Sequence, residues 1–379
     1  MGKRELVLIS LFVVVGIVVY QFTAPPPAPG SEGMSIGGII QKLRREVQGN
    51  RETAAVESSK ALPVPASVRL VRLNLTGNNS VTIAGSDRTD IAVEMKLTGR
   101  GYTKEEAKAA AERAELKIEH AGDAIAVTVG WARRDSRQPG YVIDGNITVA
   151  LPKRLLIRLE PHMGRLAISD VAGAEIMGQR GETRISKIGG HLALSHTSGK
   201  LEIETVPSLK LTARNSDARI RGVGGTLTTD TNGGEMQLED IVGPIEIEAR
   251  NTEMTVDAAK LARPPFRYNG TGGHLRVSNL RTESRLDGRN VELDVIMTGA
   301  APVTIYNTGE DILVTPPAGG YSLDAVATDG QITAADSNIT ATPGNGPEAR
   351  VSVDIRGGGP SLTLRVTRGR IELRKPAGK

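Results

Sequence analysis

Beyond residue 150 the chain alternates apolar and polar positions in short runs, and the runs recur. The strand "GRLAI" ending at Ile168 returns as "GETRI" at Ile185, "GKLEI" at Ile203, "DARI" at Ile220 and "GEMQL" at Leu238. It continues as "TEMTV" at Val256, "GHLRV" at Val277, "VELDV" at Val295 and "DILV" at Val314. Period-two alternation predicts strands with one buried face. The anchors lie about 17 to 21 residues apart, a nearly fixed period that marks a stacked repeat. A second strand follows each anchor, as in "HLALS" with Leu192 and Leu194, "LKLTA" with Leu209 and Leu211, and "IEIEA" with Ile245 and Ile247. One repeat therefore reads strand, turn, strand, turn.

Asn215, Asn232, Asn251, Asn269, Asn290 and Asn307 recur near the end of that second strand at almost the same period. Asparagine tolerates the left-handed backbone of a turn, and its amide can bond the same residue one layer away. A β-sandwich gives no reason for a turn residue to keep phase with such a repeat. The pattern predicts an all-β chain in which residues 150–375 form a parallel β-solenoid, each rung about 4.8 Å above the last. With the inward positions assigned, Arg184, Glu202 and Arg219 fall in one outward column and Glu204, Arg221 and Glu239 in the next. Alternating charges in register attract across a ladder, each exposed pair contributing roughly 0.2 to 1 kcal/mol.

Upstream, residues 68–149 read as a small α+β entry region. Alternating strands ("VRLVRLNL", "DIAVEMKL") precede "TKEEAKAAAERAEL", where Thr103 as N-cap and Glu106 three residues on make a capping box. "LKIEHAGDAIAVTVGW" predicts a hairpin turning at Gly122 and Asp123. Residues 25–67 are a Pro- and Gly-rich tether with room for one short helix, and residues 1–24 a cytoplasmic stub and membrane anchor. In the anchor, Leu6 to Phe22 carries no charge and follows Lys3 and Arg4. Its length, roughly 25 Å as helix, is at the short end of what spans a bilayer. The proline after Ala24 makes a poor cleavage site, so the segment reads as an uncleaved single span rather than a signal peptide. Positive charge on the N-terminal side predicts that end in the cytoplasm and the remainder outside the cytoplasmic membrane.

Composition then narrows the chemistry. The chain has 379 residues and no cysteine, which removes disulfides, thiolate metal sites and cysteine nucleophiles. The 47 basic and 43 acidic residues are interleaved without a basic block, so nucleic acid is not an expected partner. His191 and His196 are an odd number of positions apart and face opposite sides of a strand, while His162 and His274 belong to other repeats. Each reads as a lone surface or turn histidine, with no metal and no cofactor expected. Ser195, His196 and Ser198 adjoin, but no strand-to-helix elbow presents a nucleophile there. The carboxylate pair Glu246 and Glu248 has no obvious basic partner, so an enzymatic or cation-binding alternative would have to reside there.

An N-terminal anchor, an entry region, the strand in "ITVALPKRLLIRLEPHMG", the repeats, and the closing "GGGPSLTLRVTRGRIELRKP" occur in that order. This succession resembles the adhesin-like family of bacterial β-strand-repeat proteins, a domain of unknown function, from Val68 to Lys375. The resemblance implies an exported parallel β-solenoid with no catalytic residues to carry over. It departs at "LARPPFRYNG", where Pro264 and Pro265 predict a bulged loop interrupting the ladder. The expectation is a membrane-anchored, non-catalytic binding or structural module of the bacterial cell envelope, with an envelope polymer or protein as partner. The alternatives are a β-helix carbohydrate-active enzyme and an envelope-stress regulator.

Overall fold

The computed structural model describes residues 15–16, 52–75, 77–131, 140–335, 339–343 and 346–376. The architecture is all-β, and the chain divides into two units. The smaller comprises Met1–Val56, Leu97–Arg113 and Arg134–Ile143. Its helix α1, Lys104–Glu112, begins where Thr103 Oγ1 accepts from the Glu106 amide at 3.2 Å and the Glu106 carboxylate accepts from the Tyr102 amide at 3.0 Å. These two bonds satisfy amides that a helix start otherwise leaves unpaired. Ala107, Ala110 and Ala111 form the buried side of the helix. The chain reaches it through Gly101, where a Cβ would stand 2.7 Å from the Ala107 amide nitrogen.

The larger unit comprises Glu57–Lys96, Ala114–Arg133 and Asp144–Lys379. Two parallel ladders run through it. In the first, the strand starting at His191 pairs with that starting at Ser208, which pairs onward with the strands starting at Leu227, Ile245, Phe266, Ser284 and Val303. The second ladder aligns the sequence anchors in one row: Ile168, Ile185, Ile203, Ile220, Leu238, Val256, Val277, Val295 and Val314 are successive register partners. All are buried, so one inward row of branched side chains supplies continuous core along the ladder. Glu202 and its outward counterparts stand on the opposite side of the same strands.

The ladders extend further than the repeat pattern did, and not in chain order. Ile83 pairs with both Ile168 and Val149. Likewise Leu70–Leu75 lies between the strands that begin at Ala124 and Leu156. Residues 70–86 are thus inserted between two segments that follow them in sequence, and no structural break falls at residue 150. At the other end, Ser361–Thr367 lies between Val303–Thr308 and Tyr321–Thr328. Each end of the first ladder is closed by an antiparallel strand, Ala114–Ala121 against Ala124–Trp131 and Glu348–Ile355 against Tyr321–Thr328. The first of these is the expected hairpin, with Gly122 at φ +67°.

Three expectations need adjustment. Glu52–Pro63 is a strand although it falls inside the segment read as tether. Pro264 and Pro265 lengthen the connection between Asp257 and Phe266 but interrupt neither ladder, since Ile245↔Phe266 and Asp257↔Ser278 both hold register. No helix among the described residues is long and apolar enough to cross a membrane. The span expected at Leu6–Phe22 lies outside the described residues except for 15 and 16, as does the short tether helix.

Candidate functional site

The outward charges on the second ladder lie in the two columns that the repeat arithmetic places them in. Arg184, Glu202 and Arg219 are successive register partners, and so are Glu204, Arg221 and Glu239. Arg184 Nε donates to Glu202 Oε2 at 3.0 Å. Arg219 turns diagonally to Glu239 Oε1 at 3.0 Å, and Arg221 Nε reaches Glu239 Oε2 at the same distance. Hydrogen bonds from Arg221 and then Arg219 hold the Glu239 carboxyl below the usual carboxylate range. Arg184 with Glu202, and Arg219 and Arg221 with Glu239, are thus paired across rungs.

The six asparagines do not form one row. A corner between the ladders passes through Ser198, Asn215, Gly233, Asn251, Gly272, Asn290 and Gly309, every one with φ between +47° and +94°. Asn215, Asn251 and Asn290 therefore share a position, and glycine takes the corner in the repeats between. The alternation has a steric cause: a Cβ at Gly233 would lie 2.6 Å from Asn215 Oδ1, and one at Gly272 2.5 Å from Asn251 Oδ1. Asn232 stands one residue ahead of the corner, paired with Arg214 and Arg250, and Asn269 is outward beside Glu248. Asn307 is buried, its amide donating to the Val291 carbonyl at 2.7 Å and the Glu310 carbonyl at 2.8 Å.

The histidines separate as parity requires, with His191 exposed and His196 buried. His196 and His162 are not surface residues, however. With Gln179 they make one buried row, His162↔Gln179↔His196, each side chain bonding a carbonyl of the preceding repeat. His162 Nε2 lies 3.1 Å from the Asn79 oxygen, and its Nδ1 3.1 Å from the Leu75 oxygen. Gln179 donates to Gly164 O at 2.8 Å, while His196 Nε2 reaches Gly181 O at 3.0 Å and its Nδ1 pairs with Ser216 Oγ at 2.8 Å. Burial pushes the His196 pKa down. A ring so enclosed holds two repeats together and has no route to a substrate. Ser198 is spent on the left-handed corner, so the Ser195, His196 and Ser198 cluster is structural. His274 stands beside Glu253 at 3.8 Å, and among the described residues no group of three or more His, Asp and Glu is placed to share a metal ion.

Glu246 and Glu248 stand on the outward face of the first ladder in an open trough of about 600 Å³. Lys210, Asp230, Arg267, Arg285 and Asp287 line it with them. The basic partner not apparent in the sequence is Arg267, the register neighbour of Glu246 one rung on, at 3.9 Å. Glu248 sits opposite Asp230 and Asn269. Asp230 leans 3.5 Å from Arg214, and Arg285 is held by Asp287, Nε to Oδ2 at 2.8 Å. Sequence reasoning missed the trough because it followed the second ladder. The signal is the outward positions of "IEIEA", "FRYNG" and "VTIYNT" read as columns in their own right.

No family model matches this chain, and neither does any curated protein. Among solved structures it is similar to a candidate cell adhesion protein from Clostridium sporogenes, at 11% identity over 85% of this chain and 100% of that one, TM-score 0.20. A candidate adhesin from Parabacteroides distasonis matches at 12% identity over 84% and 97%, TM-score 0.25. A candidate lipid binding protein from the same species matches at 7% identity over 84% and 96%, TM-score 0.27.

Proposed function

We propose that the paired ladders are the faces of a parallel β-solenoid serving as a non-catalytic binding or structural module of the bacterial cell envelope. An N-terminal span over Leu6–Phe22 holds it at the cytoplasmic membrane, N-terminus inside and repeats outside. The observation that carries this reading is the trough itself, a surface built from outward side chains of successive repeats kept in one register. Such a surface suits extended contact with a long partner.

Glu246 and Glu248 in that trough are what a carbohydrate-cleaving reading would use. Glycosidases flank the scissile bond with two carboxyl groups so that acid and base act on opposite sides of it. Here both side chains leave the same face of one strand, and Arg267 engages one of them. The ion pair of Arg267 with Glu246 supports holding a chain over cutting it. Two measurements test the proposal. The full chain incubated with a panel of envelope and plant polysaccharides should release no reducing ends, and a C-terminal tag should be digested by protease added outside intact spheroplasts. Release of reducing ends overturns the non-catalytic reading, and a protected tag overturns the topology.

A further inference from the structure

The trough continues beyond Asp287. A second hollow of about 340 Å³ is lined by Arg289, Tyr306 and Arg365 and shares Asn269 and Asp287 with the first. Thr212, Asp230, Glu248, Asn269, Asp287, Tyr306 and Arg365 are successive register partners in one outward row. At about 4.8 Å per rung the row runs roughly 29 Å, enough for several sugar rings in line.

Tyr306 is the exposed aromatic in that row, at 40% of its surface. Its ring is set by neighbours rather than by burial, with the Arg285 guanidinium 5.2 Å from the ring centroid and Arg285 itself fixed by Asp287. A flat apolar plate among amide, carboxylate and guanidinium groups matches a pyranose, which offers an apolar C–H face and pairs of neighbouring hydroxyls. Charge decides against a polyelectrolyte. Lys210, Arg267, Arg285, Arg289 and Arg365 are nearly balanced by Asp230, Glu246, Glu248 and Asp287, so no single-sign field attracts one.

We propose that this trough binds a linear, uncharged glycan laid along the row, with one sugar ring stacked on Tyr306. The inference rests on the binding-module reading and names its ligand class. The test is calorimetric titration of the full-length chain with cellohexaose, chitohexaose, mannohexaose and xylohexaose, and with heparin and polygalacturonate as polyanions. At least one neutral hexasaccharide should bind. Tyr306→Ala should then weaken it by about tenfold or more, and Tyr306→Phe should stay within about twofold of the parent because the ring is kept. Glu202→Gln, on the other ladder, should change nothing. Failure of every neutral hexasaccharide to bind overturns the proposal, as does undiminished binding by Tyr306→Ala. Binding of polyanions alone overturns the uncharged character assigned to the ligand while leaving the binding module standing. Release of reducing ends from a bound hexasaccharide instead overturns the module reading while leaving the trough in place.

Discussion

His196 is fully buried, and burial pushes its pKa below the ordinary value, so the folded chain holds this ring neutral where the unfolded chain takes up a proton. The sign follows from linkage. The stability it contributes is present above the unfolded pKa of about 6.5 and is lost as pH falls through and below it. The urea midpoint should therefore drop between about pH 7.5 and pH 5. His196→Gln, which repeats the residue already found at Gln179 in the same row, should flatten that limb; equal slopes for variant and parent would refute the assignment. Tyr268 offers a second readout. Its phenol lies in the core with no hydrogen-bond partner among the described residues, burial pushes its pKa up, and Gly270 leaves the space that its hydroxyl occupies. An unpaired buried hydroxyl costs on the order of 1 to 3 kcal/mol, so Tyr268→Phe should raise the midpoint, and a lower one would show that the hydroxyl has a partner.

Between rungs, the exposed charges align the strands more than they stabilise them. Glu239 collects Arg219 and Arg221 at the surface, where solvent screens the pairs. Glu239→Gln should lower stability by no more than about 1 kcal/mol, and the difference should vanish near 1 M salt, where the Debye length is about 3 Å. Thermal unfolding at low and high salt reads this directly, and a larger, salt-independent loss would contradict it. These columns were legible in the sequence because a strand's two-residue period and a nearly constant repeat leave only one register that buries Ile185, Ile203 and Ile220 together. The asparagine row was half legible. Its corner asks for left-handed backbone, which glycine meets as readily, so Gly233 and Gly272 carry it with no amide to mark them. Tyr306 escaped notice because a single aromatic between inward Ile305 and inward Asn307 gains meaning only once the first ladder is aligned. Glu52–Pro63 carries too few apolar residues to signal a strand by itself.

Across the larger unit, what the sequence could not reveal is the order in which segments meet, because adjacency between distant segments leaves no local pattern. Both ends place a segment out of chain order, and at the C-terminal end this has a mechanical consequence. Ser361–Leu373 supplies the parallel partner of the strands at Val303 and Ile312 on one side and at Tyr321 and Gln331 on the other. It is fastened by Arg374, which donates its amide to Val314 O at 2.8 Å and reaches Asp294 at 3.4 Å, and by Asp311, which accepts from the Arg370 amide at 2.8 Å. Removing this segment opens two ladder edges at once and leaves, among the described residues, Tyr321–Thr328, Thr342–Pro343 and Glu348–Ile355 paired only with one another, too few strands for independent stability. A chain ending after Thr315 loses more residues yet exposes one ordinary last rung. The shorter deletion should therefore be the more damaging. A chain ending at Pro360 should lose amide-exchange protection through 303–334 and aggregate, while the chain ending at Thr315 should keep protection through 201–297. Unchanged protection at 321–334 after deletion of 361–379 would show that the inserted segment is not what holds this end together.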